Sequence, residues 1–390
     1  MLTAATSEHD RHPHLGHDGT VSAAAPSGHH YGPAMSEKRL ATVAVTSGRP
    51  ERVPDAPLNT PIVPASAFVA GGATEYAREG GPTAAALEAA IAELESLDLE
   101  TTARALVYSS GMAAAEAVLD LVPVGGHVIA PTTTYTGVSV RLRELNDRGT
   151  IRVTFVDIAA TDDVVNAIRA GADLLWVESP TNPLLEVADL QALLSAARDA
   201  GVRSVVDNTF ATPVLQRPLG QGADIVLHSA TKGLSGHSDL LMGALVTQEA
   251  SLAEQLHVRR VLLGAAASPF DCYLALRGLR TLPLRITRAI QTAEILAPRL
   301  QSIAHISKLR HFGTMISLEF HGDVTFAERV CSRTKVWVHA TSLGGVESSL
   351  ERRRRWPLES ERVPEDLVRL SVGIEDPEDL WHDLQAAMSD

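Results

Sequence analysis

The chain is short of lysine, of cysteine and of long apolar runs, and each shortage excludes something. Its 34 cationic side chains include only four lysines, Lys38, Lys232, Lys308 and Lys335; the rest are arginines. A guanidinium stays protonated and cannot serve as an amine nucleophile, so any amine chemistry here has four candidates. Two cysteines, Cys272 and Cys331, stand far apart without metal-ligand spacing. That gives no disulfide framework and fits a reducing compartment. No apolar run reaches the length needed to cross a bilayer, and the N-terminus lacks the apolar core of a signal peptide. Positive charge is in deficit too. A formal net charge of −13 argues against general nucleic-acid binding and against an anionic membrane surface. The expectation is a soluble cytoplasmic protein with neither nucleic acid nor membrane as partner.

What is present is enough chain, 390 residues with 45% hydrophobic side chains, for two packed domains. Residues 1–36 scatter six of the fifteen histidines among Gly, Pro, Ala and Ser, and read as a flexible, solvated extension. Without cysteine or regular spacing those histidines predict no metal site. From about residue 80 helix and strand alternate. Pro82 sits just inside the start of a helix predicted through 84–97. Short apolar segments at 105–108, 127–130, 152–156, 174–178, 204–207 and 225–228 read as buried strands separated by helix-length stretches. The class is α/β: a central, mostly parallel sheet with helices on both faces, whose ligands bind outside the carboxyl ends of the strands. A long amphipathic helix over 268–285 is expected to lead into a smaller α/β C-terminal domain. Strands at 311–319 and 367–372 and a closing helix over 377–388 complete it.

The chemistry-bearing residues fall at those strand ends. Lys232 lies in His228-Ser229-Ala230-Thr231-Lys232-Gly233, just after a strand; a lysine there can lose its proton and form a Schiff base with a carbonyl. Ser109-Ser110-Gly111-Met112 joins a strand to an Ala-rich helix, and the free N–H groups of such a helix start suit a phosphate. Ser229 and Thr231 offer hydroxyls to the same phosphate. Asp207, heading Asp207-Asn208-Thr209-Phe210, ends another strand. Alone it could be an N-cap; beside a phosphate cradle and an amine it could hold a proton on a pyridine nitrogen. Asn182, in Glu178-Ser179-Pro180-Thr181-Asn182-Pro183, could reach a ring hydroxyl, and Tyr135 could stack on a flat cofactor.

Together with Tyr76-Ala77-Arg78, Gly81-Pro82-Thr83, Gly236-His237-Ser238-Asp239, the 342–347 turn and the 369–376 segment, these motifs resemble the Cys/Met-metabolism family of pyridoxal-phosphate enzymes. The resemblance runs from about Lys38 to the C-terminus. It implies pyridoxal 5'-phosphate as cofactor and the aminotransferase-like type I fold. It also implies a homo-oligomer, a tetramer as a dimer of dimers with shared active sites. Residues 37–75 would be an arm contacting the neighbouring subunit, 76–275 the cofactor-binding domain and 276–390 the C-terminal domain. Carried over by position, Lys232 is the catalytic amine, Asp207 pairs with the pyridinium, and Tyr135 stacks and protonates a leaving thiolate. Gly111, Met112, Thr209, Ser229 and Thr231 belong to the cofactor site, with Tyr76 and Arg78 reaching the phosphate of the partner subunit. Arg369, helped by Ser342 and Asn182, would clamp the carboxylate of an amino-acid substrate, with Thr341 beside it.

The departures from the family pattern bear on the substrate. Thr341 stands where cystathionine-handling members often carry Glu, and Val140 where cystathionine lyases can carry Arg. Both point to a less charged far end and to γ-elimination of L-methionine, a carbon–sulfur lyase of the methionine γ-lyase type. Gly137, where many methionine γ-lyases have Cys, points the other way. Cystathionine γ-lyase, cystathionine γ-synthase and O-acylhomoserine sulfhydrylase are the alternatives, and a retired, inactive scaffold a remote one. The run Glu351-Arg352-Arg353-Arg354-Arg355-Trp356 replaces the family's His-Pro loop and reads as a solvated, partly paired loop.

Overall fold

A computed structural model of the chain describes residues 38–389; the extension expected over 1–36 lies outside the described residues. Seven strands form the large sheet: β1 (Arg104–Tyr108), β2 (His127–Pro131), β3 (Arg152–Val156), β4 (Leu174–Glu178), β5 (Arg203–Asp207), β6 (Ile225–Ser229) and β7 (Gly243–Thr247). Their order is β1-β7-β6-β5-β4-β2-β3. Helices α1 (Leu40–Thr46) and α2 (Pro82–Glu95) precede β1. After successive strands come α3 (Gly111–Leu119), α4 (Thr136–Asp147), α5 (Thr161–Arg169), α6 (Leu190–Ala200) and the short α7 (Thr212–Leu215), and α8 (Ala250–Leu263) follows β7.

The six expected strands stand within a residue of their expected ends. Most read clearly because both faces of the sheet are buried, which makes them continuous apolar runs, whereas the edge strand β3 exposes Arg152 and Thr154. In β1, Ala105 and Val107 enter one core while Leu106 and Tyr108 enter the other; in β4, Leu175 and Val177 face Trp176 across the same divide. The sheet is parallel apart from β7, which pairs antiparallel with both β1 and β6. That strand escaped the sequence pattern because an antiparallel return needs no crossover helix and so breaks the alternation.

The rest of the chain forms α9 (Pro269–Leu279), α10 (Leu282–Gln301), β8 (Lys308–Phe312), β9 (Met315–Glu319), α11 (Val324–Arg333), β10 (Val338–His339), β11 (Ser349–Arg352), β12 (Val368–Ser371) and α12 (Pro377–Met388). The second sheet runs β10-β11-β12-β9-β8. Two expectations need correction. The single helix over 268–285 is broken at Arg280-Thr281, because Pro283 in the first turn of α10 has no N–H with which to continue α9. The strand over 311–319 is a β8–β9 hairpin turning at Gly313, whose φ of 56° suits glycine. Helix α10 ties the two sheets together: Leu282 and Ile286 pack in a core of the large sheet, Ala293, Leu296 and Leu300 in that of the small one. Among the described residues no helix is long and apolar enough to cross a membrane.

Candidate active site

The carboxyl ends of β4, β5 and β6 lie side by side, with Glu178 paired in register with Asp207 and Asp207 with Leu227. Outside them opens a cavity of about 270 Å³. Every site residue expected from the sequence lines it except Tyr76 and Arg78. Those two sit in the stretch between α1 and α2: Tyr76 is 41% exposed, and the Arg78 guanidinium lies 4.4 Å from the centre of its ring.

On the sheet side, Asp207 Oδ1 accepts hydrogen bonds from the Thr209 amide at 3.0 Å and the Thr209 hydroxyl at 2.5 Å. Both fall on one oxygen, so Oδ2 remains for another donor. Burial raises the Asp207 carboxyl above its usual range, against the hydrogen bonds from Thr209 and the nearby His228. Burial likewise raises Glu178, and the Asp207 carboxylate raises it further. Two buried carboxylates side by side favour holding one proton between them until a cation arrives. Sequence reasoning gave Glu178 no role of its own. Its signal was its place as the last residue of β4, beside Asp207. It accepts the Tyr135 amide at 2.7 Å and the Asn182 amide at 2.8 Å, so one carboxylate anchors both loops that carry predicted site residues.

On the opposite side, Lys232 Nζ donates to Ser342 Oγ at 2.7 Å. Burial and the positive charge of Arg369 bring this amine down to about 8, with Glu351 opposing. The turn bearing Ser342 is pressed onto the Lys232 segment: Gly344 has φ 76°, and a Cβ there would come 2.6 Å from the Gly233 nitrogen. Arg369 is 3% exposed and donates to Asn182 Oδ1 at 2.7 Å, to the Ser342 carbonyl at 2.9 Å and to Glu351 Oε1 at 2.7 Å. Glu351 and Arg353 are the residues that sequence reasoning missed. They are paired across a buried network, Arg353 Nη1 to Glu351 Oε1 at 2.6 Å, where a solvated loop was expected. A signal for Glu351 existed only through the sheet: β11 pairs with β12 so that Glu351 faces Arg369.

The residues fit a phosphorylated pyridine. Ser110 caps α3, its hydroxyl accepting the Ala113 amide at 3.1 Å, which leaves the Gly111 and Met112 amides at an open helix start. A Cβ on Gly111 would stand 2.9 Å from Ser229 Oγ, so only glycine leaves that cradle open. Thr231 is the weaker member: its hydroxyl already accepts the Met242 amide at 2.8 Å. Asp207 keeps a free oxygen for a ring N–H, and Lys232 supplies an amine near neutrality.

A family model described as the Cys/Met metabolism PLP-dependent enzyme matches residues 41–389. The chain belongs to that family. The cystathionine γ-synthase of Mycobacterium tuberculosis is 41% identical to this PLP enzyme over 379 residues, covering 89% of this chain and 96% of that one. The cystathionine γ-lyase of Bacillus subtilis is 38% identical over 343 residues, covering 80% and 88%. Among solved structures, cystathionine γ-synthase from Xanthomonas oryzae pv. oryzae in complex with cystathionine superposes with a TM-score of 0.85 at 33% identity, covering 90% of this chain and 98% of that one. The apo form of CalE6 from Micromonospora echinospora, described as a methionine γ-lyase, gives 0.83 at 35% identity, covering 90% and 99%. Pyridoxal phosphate is therefore the cofactor of this PLP enzyme, its type I fold is that of these neighbours, and its chemistry is of the cystathionine γ-synthase/lyase kind.

Proposed function

We propose that this enzyme acts on the Cγ–S bond of L-cystathionine, and that methionine is the lesser substrate. The observation that carries this is at Gly137. A side chain there would meet Tyr135 Cε1 at 2.7 Å and Met112 Sδ at 2.9 Å, so the cysteine usual in many methionine γ-lyases would have to displace one of these two side chains. Val140 is 36% exposed on α4 and does not line the cavity, so it no longer argues for a neutral far end. Three of the four similar proteins reported above are named as cystathionine enzymes, which supports the same substrate, and the fourth as a methionine γ-lyase. One observation favours methionine: Thr341 lines the cavity with Leu241, Leu343 and Phe210, an apolar group that a thioether would suit.

Pyridoxal phosphate, held at Lys232, would supply an electron sink for bond breaking at Cα and Cβ. Lys232 moves the protons at those two carbons, and a value near 8 lets it both take and give them near neutral pH. Ser342 Oγ holds the amine on the substrate side. Arg369 grips the substrate α-carboxylate, with Asn182 and Ser342 fixing the guanidinium. Tyr135, at the mouth and 45% exposed, gives its proton to the departing sulfur. Asp207 keeps the proton on the ring nitrogen. The Gly111 and Met112 amides, Ser229 and Thr231 hold the phosphate, and Tyr76 and Arg78 reach that of the partner subunit. The last point is tested by mixing Arg78→Ala with Lys232→Ala protomers: shared sites predict regained activity, unshared sites none.

The experiment for the substrate is a product assay on the purified, cofactor-loaded enzyme. L-cystathionine and L-methionine are offered separately at equal concentration, and O-succinylhomoserine is offered with cysteine. Faster product release from cystathionine, or cystathionine made from the ester, is expected; faster methanethiol release from methionine overturns the reading.

A further inference from the structure

The four-arginine run splits by direction. Arg352 and Arg354 turn outward to Glu328 and Glu365, and Arg355 lies half in the open over the Trp356 ring. Arg353 turns inward. It is 5% exposed and lines the same cavity as Lys232, Thr341 and Arg369.

Its four hydrogen bonds are to Glu351 Oε1 at 2.6 Å, twice to Glu359 Oε2 at 2.6 and 3.0 Å, and to Thr136 Oγ1 at 3.4 Å. A guanidinium has five N–H groups, so one is left over. Arg353, Arg355 and Arg369 are gathered around two carboxylates, Glu351 and Glu359, and the one positive charge in excess is matched by the substrate α-carboxylate at Arg369, so a second acid would be met by the unfilled N–H of Arg353. Arg369 is engaged by Ser342 and Asn182 on the Lys232 side. Arg353 reaches Thr136, the neighbour of Tyr135, on the side where the leaving group departs.

We propose that Arg353 is the specificity residue for the far end of the substrate: it pairs with a carboxylate carried beyond the γ-heteroatom, so the favoured substrates are amino acids with a second, acidic end. This rests on the cystathionine reading above and names what recognises its distal half. Arg353, twelve residues further along the chain, does not replace the negative charge absent at Thr341; its charge is of the opposite sign and addresses the distal carboxylate instead. A guanidinium fixed by two buried acids is already oriented, and its one remaining N–H favours a carboxylate over a neutral chain of equal length.

The test uses the holoenzyme and two ligands that lack a leaving group, L-2-aminosuberate and L-2-aminooctanoate. Both have eight carbons; only the first ends in a carboxylate. Dissociation constants are read from the change in cofactor absorbance. Wild type should bind the diacid about tenfold tighter. Arg353→Met should abolish that preference while leaving aminooctanoate within about twofold, and Arg353→Lys should keep part of it. Equal binding of the two ligands by wild type overturns the proposal. So does an equal weakening of both in Arg353→Met, which would show that Arg353 only ties its loop to α4. Should the Met variant not fold, the wild-type ratio and the Lys variant decide. A wild type that prefers the diacid but cleaves no cystathionine overturns the proposed function and leaves Arg353 standing. One that cleaves cystathionine without preferring the diacid overturns Arg353 alone.

Discussion

The two walls of the cavity are built on different principles. The cofactor wall comes from the ends of β1, β4, β5 and β6, where each polar residue follows an apolar strand and its neighbours in sequence complete the site. The substrate wall comes from the 341–359 stretch and β12, where residues eighteen apart, Glu351 and Arg369, meet across an antiparallel pair. On the first wall backbone geometry sets each side chain. On the second, buried charges hold one another. A wall of the first kind should be altered locally by a substitution, and one of the second kind should fail as a unit.

The largest expected effect is on the residue both walls share. Lys232→Ala should lower kcat below about a thousandth of wild type and remove the cofactor's lysine-linked absorbance, because no other lysine lines the cavity. Normal turnover in that variant would remove Lys232 from the mechanism. The other three lysines would then have to be tested in turn.

Glu351→Gln comes next and is the sharpest test of the contrast. Burial pushes the Glu351 carboxyl up, but Arg369 and Arg353 outweigh it and hold it below its usual range. Such a carboxylate contributes stability above its ordinary pKa and loses it as pH falls through the depressed value. The amide keeps the shape and deletes the charge. Breaking a buried pair costs roughly 3–5 kcal/mol, so the urea midpoint should fall clearly and KM should rise as Arg369 loosens. A variant stable and active as wild type would show that Arg353 and Arg369 hold without their shared acid.

The cofactor wall was largely legible in the sequence, and the reason is local. Ser110-Gly111-Met112, Asp207 and Ser229–Lys232 each carry their chemistry within four residues of a strand end, where the period of apolar residues announces them. Glu178 was on the page but silent, since its work is done through the Tyr135 and Asn182 amides. The substrate wall was legible only in Thr341, Ser342 and Arg369, and its charge network was not. β11 is four residues long and was not seen, so nothing placed Glu351 opposite Arg369, and a run of arginines carries no mark of which one turns inward. Gly137 was noted as a departure, but its meaning waited on the position of the Tyr135 ring.

A moderate effect links the walls through pH. The Lys232 amine is lowered to about 8, chiefly by burial and then by Arg369, while Glu351 raises it. Below that value the buried ammonium costs stability, and the cost is relieved as pH rises from there toward the ordinary lysine value. The free amine that the cofactor aldehyde needs therefore grows through pH 8. Reconstitution of the apoprotein with pyridoxal phosphate should rise about fivefold from pH 7 to pH 8 and about twofold more before levelling above it. In Glu351→Gln the limb should move to lower pH, because the one charge that favours the ammonium has gone. An unmoved limb would mean that the two walls titrate independently.

The smallest effect belongs wholly to the cofactor wall. Ser110 Oγ accepts the Ala113 amide and fixes the first turn of α3, whose Gly111 and Met112 amides face the cavity. Losing an N-cap hydroxyl costs about 1 kcal/mol, so Ser110→Ala should lower the melting temperature by a few degrees. If the cap merely stabilises the helix, cofactor affinity stays as it was. If it also holds the two amides at the spacing a phosphate needs, affinity falls by several fold while the ratio of aminosuberate to aminooctanoate binding does not move. That second pattern is expected: a locally built wall lets its cofactor loosen without disturbing what the charge network on the other side recognises. A change in the ligand ratio would mean that α3 and the Glu351 network are mechanically one, and the contrast between the walls would fall with it.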